Sequence, residues 1–138
     1  MTSHITIFTD GGARGNPGPA GAGAVIYKGK EKIADVSEFL GKRTNNYAEY
    51  QALILALEAA RDVCGFPVPQ TVVKMDSELI VKQMKGEYRV KDATLKLLHA
   101  RVKDTIATAF PDISFMHVRR EENKEADALA NEAMDRGE

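Results

Sequence analysis

Four acidic residues fall where a solvated acid is not expected: Asp10, Glu49, Asp76 and Asp127. Asp10 follows the apolar run "ITIFT" and leads into Gly11, Gly12, Gly15 and Gly18. Asp76 closes a second apolar run, "TVVKM". If these runs are parallel neighbours, both carboxylates emerge at the C-terminal ends of strands, where open α/β sheets place their sites. Glu49 shares a helical face with Ala52, Leu53, Ala56 and Ala60, the face expected to pack on the sheet. Left unpaired there, a carboxylate costs on the order of several kcal/mol. Asp127 borders the apolar stripe of Ala126, Leu129, Ala130 and Ala133. Carboxylates brought together repel and raise one another's pKa unless hard cations neutralise them. A donor set of oxygens alone, with no cysteine and no histidine cluster, suits Mg²⁺ or Mn²⁺ rather than zinc. Two such ions about 4 Å apart would clamp the attacking water and the leaving oxygen of a phosphodiester.

A structural role accounts for each acid taken alone. Asp10 could support a turn at Gly11, and Asp76 could cap the helix that begins at Ser77. Asn46 could cap its helix with Glu49 reaching back, and Asp127 suits a helix N-terminus. Their concurrence favours the cation. The glycine run has neither the Lys-Ser/Thr pair of a P-loop nor a G-x-G-x-x-G, so it would not meet phosphate in those ways. On the metal reading, its glycines let a nucleic-acid backbone approach the peptide chain.

The elements that must position these acids follow from periodicity. The sequence predicts a strand over residues 4–9, then a hairpin of "GAGAVIY" and "KIADVSEFL" with Gly29 at the turn and Ala34, Val36 and Phe39 alternating. Leu53, Ala56, Leu57 and Ala60 recur at helical spacing within 45–62. A strand over 71–75 comes next, then a short helix closed by Gly86. A longer helix carries the stripe Leu95, Leu98, Val102 and Ile106, "DISFMHV" is the last strand and "NKEADALANEAMDR" the last helix. The order predicts an α/β fold with a mixed sheet of five strands, an antiparallel hairpin joined to parallel strands, and helices flanking both faces.

At 138 residues the chain fits one domain spanning 1–138. The lone cysteine, Cys64, rules out an intramolecular disulfide and a cysteine-based zinc site, and fits a reducing compartment. A net charge of −1 argues against coating nucleic acid by bulk charge and leaves room for a local basic face. Lys82 to Lys103 is rich in Lys and Arg, although for an isolated stretch a solvated helix face is the favoured explanation. No basic N-terminal region leads into a long apolar run, and none approaches the roughly 20 residues of a membrane span. The expectation is a soluble, cytoplasmic protein with no membrane partner.

The segments "TDGGARGNPGPAGAG", "RTNNYAEYQALILAL", "MDSELIVKQMKG" and "ENKEADALAN" resemble, in order and over nearly the whole chain, the motifs of ribonuclease H, type 1. The resemblance implies a ribonuclease H-like catalytic domain that hydrolyses the RNA strand of RNA–DNA hybrids with two divalent metals, Mg²⁺ or in its place Mn²⁺. It implies 5′-phosphate and 3′-OH products. Asp10, Glu49, Asp76 and Asp127 match the metal-binding acids of the family, and Asn16, Thr44 and Asn45 match positions that contact the substrate backbone. Glu49 would also accept a ribose 2′-OH hydrogen bond and, with main-chain contacts from Gly11, Gly12 and Ala13, distinguish RNA from DNA.

Three departures from the family pattern matter. Many relatives carry a histidine in the loop before the last helix, where this chain has "HVRREENKEAD". His117 reads as a strand residue. Arg119 or Arg120 stands in the short loop, and Arg120 is favoured as a phosphate or product contact, because arginine is no general base near neutral pH. The basic helix and loop that grip the hybrid in some relatives are missing, and Lys85, Arg89 and Lys91 around Tyr88 would supply a smaller, salt-sensitive contact with the DNA strand. Glu78 occupies a position where several relatives have glutamine. The alternatives are a hybrid- or duplex-RNA-binding module with weak catalysis, and a nuclease that also cuts double-stranded RNA. A monomer is expected and no protein partner is implied.

Overall fold

The structure is a computed structural model that describes residues 4–138. In chain order the elements are β1 (Ile5–Ala13), β2 (Gly18–Lys28), β3 (Glu31–Arg43), α1 (Asn45–Cys64), β4 (Thr71–Met75), α2 (Glu78–Met84), α3 (Ala93–Ala109), β5 (Ile113–His117) and α4 (Lys124–Arg136). A 3-10 turn, Arg120–Glu122, precedes α4. The sheet runs β3-β2-β1-β4-β5. β1–β2 and β2–β3 are antiparallel, and β1–β4 and β4–β5 are parallel. This is the expected mixed sheet.

Its strands differ from the expected ones where the site lies. β1 does not stop before Asp10: it continues to Ala13, with Asp10, Gly11 and Gly12 paired to Gly23, Ala22 and Gly21 of β2. Gly11 and Gly12 are therefore strand, held by β2, and the chain turns only at residues 14–17. On the other side, β4 ends at Met75 opposite Thr9. Asp10 is thus the first β1 residue without a parallel neighbour, at the point where the sheet opens. Phe39 also breaks the expected alternation: it pairs with Gly21 and Val36 with Ala24 in an unbroken register, three residues apart, and the register shift beside Gly21 falls beyond Phe39. An odd spacing sends Phe39 to the face opposite Ala34 and Val36.

Helices cover both faces. Ile5, Ile7, Val73 and Met75 pack with Leu53, Ala56 and Leu57 of α1 in one fully buried core. α3 rests on α1 through Leu98 and Val102, and α2 packs on β5. α4 covers β1, β2 and β3 from the other side. It lies close enough that a Cβ on Gly23 would fall on the Ala126 carbonyl, and one on Gly21 would meet the Ala130 carbonyl at 2.5 Å. Alanine or glycine on both surfaces lets helix backbone and strand backbone come almost into contact.

Candidate active site

Asp10, Glu49 and Asp76 converge: each offers a carboxylate oxygen, and these oxygens all lie within 4.8 Å of one another. Asp10 comes from β1, Asp76 from the residue after β4, and Glu49 from the second turn of α1. The approach of α1 depends on Gly11, because a side chain there would overlap the Ala48 carbonyl. The Gly11 N–H then donates to Glu49 Oε1 at 2.9 Å, which fixes the acid over the strand. The capping roles considered for Asp76 and for Asn46 with Glu49 are filled by other residues, and Asp10 lies within a strand rather than at a turn. Thr44 caps α1 by accepting from the Tyr47 N–H at 3.2 Å, and Ser77 caps α2 by accepting from the Ile80 N–H at 3.3 Å.

The cluster is electrostatically costly as it stands. Asp10 and Glu49 are 9% and 8% exposed. Burial, followed by the charges of Glu49 and Asp76, pushes the Asp10 carboxyl from 3.8 up to about 9. Burial and the Asp76 charge push Glu49 from 4.5 up to about 8, against the Gly11 N–H and the Arg120 charge, which hold it down. Among the described residues none of the three acids joins an ion pair. Buried like charges without a counterion are strongly unfavourable. The donors are oxygens alone, the set that hard divalent cations take. The residues present therefore fit a divalent metal.

Asp127 stands in the first turn of α4. It lines the same cleft, of about 680 Å³, and its charge adds to the effects that raise the Asp10 pKa, but it lies outside the tight group of three. Two features seat α4 there: the close approach at Gly21 and Gly23, and the bond from Asn123 Nδ2 to the Thr9 carbonyl at 2.8 Å. Arg120 opens the 3-10 turn, lines the cleft and acts on Glu49 through its charge. His117 is the last residue of β5, as expected, and also borders the cleft.

The remaining expected residues divide. Asn45 Oδ1 accepts from the Ala13 N–H at 2.8 Å, and Asn16 Oδ1 accepts from the Asn45 N–H at 3.0 Å, so the two asparagines tie the end of β1 to the start of α1. Gly12 and Ala13 line the cleft, and only open space lies where a Gly12 side chain would go. At Gly11 the contact with α1 by itself requires glycine. Arg89 and Lys91 share a groove with Tyr88 and Asn46. Lys85 does not join them: it lines a separate depression beside Lys103 and Ile113. Glu78 faces solvent and pairs with Lys82 at 3.2 Å. Arg14 had not been anticipated. It borders the cleft, pairs with Asp135 at 2.6 Å and reaches Asn131 Oδ1 at 3.4 Å. Its place in the glycine run was the one available signal.

A family profile described as reverse transcriptase-like matches residues 8–133. The chain is 44% identical over 132 residues to ribonuclease HI of Halobacterium salinarum, which covers 95% of this chain and 64% of that protein. It thus spans just under two thirds of that relative's length. LC11 ribonuclease H1, isolated from compost, has a TM-score of 0.91 at 48% identity, covering 96% of each chain. The same protein solved in complex with an RNA/DNA hybrid has a TM-score of 0.92 at 47% identity, covering 96% of this chain and 97% of that one. With the carboxylate cluster at the open end of this five-stranded sheet, the chain belongs to the ribonuclease H type 1 family.

Proposed function

We propose that this protein is an endoribonuclease that hydrolyses the RNA strand of RNA–DNA hybrids, leaving 5′-phosphate and 3′-OH ends. The observation that carries the reading is the convergence of Asp10, Glu49 and Asp76, two of them buried, with oxygens within 4.8 Å in a chain of this family. Asp10, Glu49, Asp76 and Asp127 would hold two Mg²⁺ ions, with Mn²⁺ as a substitute. Such ions supply charge neutralisation and an activated water at the scissile phosphodiester.

The rest is done by the protein's own groups. Glu49 is tethered through one oxygen to the Gly11 N–H, which leaves the other side of its carboxylate to accept a ribose 2′-OH, a group that DNA lacks. Asn16 and Asn45 spend their Oδ1 atoms on main-chain N–H groups, which leaves their Nδ2 donors for phosphate oxygens. Thr44 keeps its hydroxyl proton for the same backbone while its oxygen caps α1. Arg120 holds the scissile phosphate or eases product out, as a permanent cation that cannot serve as a base. Arg89 and Lys91, in their groove, take the DNA strand by charge, in a salt-sensitive way. Duplex RNA, whose cut strand also carries 2′-OH groups, is the second substrate to test. The site is assembled from one chain, which supports a monomer, and the free Cys64 thiol fits a cytoplasmic setting.

The test is cleavage of an end-labelled hybrid beside duplex RNA and duplex DNA, each with Mg²⁺, Mn²⁺ or chelator, for wild type and Arg120→Ala. Metal-dependent cutting of the hybrid's RNA strand is expected, with turnover about tenfold lower in the variant. Binding without cutting under every metal would refute the catalytic reading, and unchanged turnover in Arg120→Ala would remove that residue from the site.

A further inference from the structure

Directly after Glu49 on α1 stands Tyr50, a fully buried residue. That hydroxyl donates to Gln83 Oε1 at 2.6 Å, a short bond between two buried side chains. Gln83 is the one polar residue on the buried side of α2, beside Ile80, Val81 and Met84. Its Nε2 reaches the Arg89 carbonyl at 3.5 Å. Its main-chain oxygen accepts from the Gly86 N–H at 3.2 Å, in the turn that leaves α2. Between Lys85 and Asp92 the chain has no regular element, and its other internal anchors are few. The Glu87 and Tyr88 N–H groups share the Lys82 carbonyl, and Val90 is buried. Leucine at position 83 together with phenylalanine at position 50 would fill the same space with no buried polar side chain, so what the hydroxyl and the amide add is the connection they make.

We infer that Tyr50 and Gln83 are positioning residues that lock the Lys85–Asp92 loop to the helix carrying Glu49, setting the spacing between the scissile centre and the cationic grip of Arg89 and Lys91. The inference rests on the proposed role of Arg89 and Lys91 as hybrid contacts. The chain of bonds runs from Glu49's neighbour through Gln83 to the backbone of Arg89 itself, so the grip and the acid move as one body. With the link cut, Arg89 and Lys91 keep their charge but sample more positions, and part of the binding free energy goes into ordering them. The loss falls on association of the hybrid rather than on the chemical step, because neither residue touches the reacting atoms.

The experiment is steady-state cleavage of an RNA–DNA hybrid by the full chain with Mg²⁺, for Tyr50→Phe, Gln83→Leu, the double variant Arg89→Ala/Lys91→Ala, and Tyr50→Phe in that double background. Tyr50→Phe keeps the ring packing and remains informative if Gln83→Leu fails to fold. The expected result is a KM raised about threefold to tenfold in Tyr50→Phe, with kcat within twofold of wild type. In the Arg89→Ala/Lys91→Ala background Tyr50→Phe should raise KM no further, since the grip it positions is gone. A melting temperature that falls while KM stays unchanged would make the link merely structural and overturn the inference. A fall in kcat at constant KM would also overturn it, by showing that Tyr50 acts on Glu49 instead. If Arg89→Ala/Lys91→Ala leaves KM and its salt dependence untouched, the grip itself is refuted. If that variant raises KM and Tyr50→Phe does not, the grip stands and the positioning role falls.

Discussion

Asp10→Asn removes one ionisable group from the cluster and keeps the side-chain shape, so it separates the cost of the site from its use. An acid whose pKa in the folded state stands above its unfolded value keeps its proton over the window between the two. There the folded state binds more protons than the unfolded state, and stability falls as pH rises. For Asp10 the window runs from 3.8 to about 9, and for Glu49 from 4.5 to about 8. The stability contribution is therefore intact below about pH 4 and almost wholly lost at pH 8. At about 1.4 kcal/mol per pKa unit, the Asp10 term reaches at most about 6 kcal/mol at pH 8. Water entry and side-chain relaxation reduce it, and we expect Asp10→Asn to stabilise the metal-free protein by about 2–4 kcal/mol at pH 8 and by less than about 1 kcal/mol at pH 4.5. For a chain of 138 residues this is a rise in melting temperature on the order of 10 °C at pH 8. Thermal unfolding in chelator, followed by circular dichroism at the two pH values, measures it. Equal melting temperatures at pH 8, or a gap no larger there than at pH 4.5, would refute the upward shift of Asp10 by burial and by its acidic neighbours. The same variant should lose cleavage of the hybrid while still binding it, and near-normal turnover would remove Asp10 from the metal site.

Two further substitutions test how α4 is held. Gly23→Ala would drive a methyl group into the Ala126 carbonyl, lifting α4 and carrying Asp127 away from Asp10. A loss of about 2–4 kcal/mol in urea unfolding is expected, with a fall in kcat that excess Mg²⁺ does not restore. Asn123→Ala deletes the donor to the Thr9 carbonyl, a bond made by a residue 1% exposed. About 1–3 kcal/mol should be lost, and a smaller effect than that of Tyr27→Phe, at a surface hydroxyl bonded to Glu125, would mean that burial adds nothing there.

The element order was legible because helical and strand periodicities do not overlap. The stripe of Leu53, Ala56, Leu57 and Ala60 permits only a helix, and β4 begins and ends where "TVVKM" does. The convergence of Asp10, Glu49 and Asp76 was foreshadowed too, because Glu49 shares an apolar helical face and the two aspartates each end an apolar run, whereas Asp127 only borders its stripe. The limits of β1 were not. Glycine weakens a strand locally, and only the pairing of Gly11 and Gly12 with Ala22 and Gly21, which residues more distant in the chain provide, extends it through Asp10. The uses of the glycines were equally hidden: Gly11, Gly21 and Gly23 serve helices that lie far away in sequence. That Asp10, Glu49 and Asp76 stand within 4.8 Å, that Asp127 stays outside that group, and that Lys85 parts from Arg89 and Lys91 were decided by the tertiary structure. By itself the sequence determined which residues could do the chemistry and which elements would carry them. Distances between elements depend on how closely backbones pack, and that is settled by side chains on both partners at once.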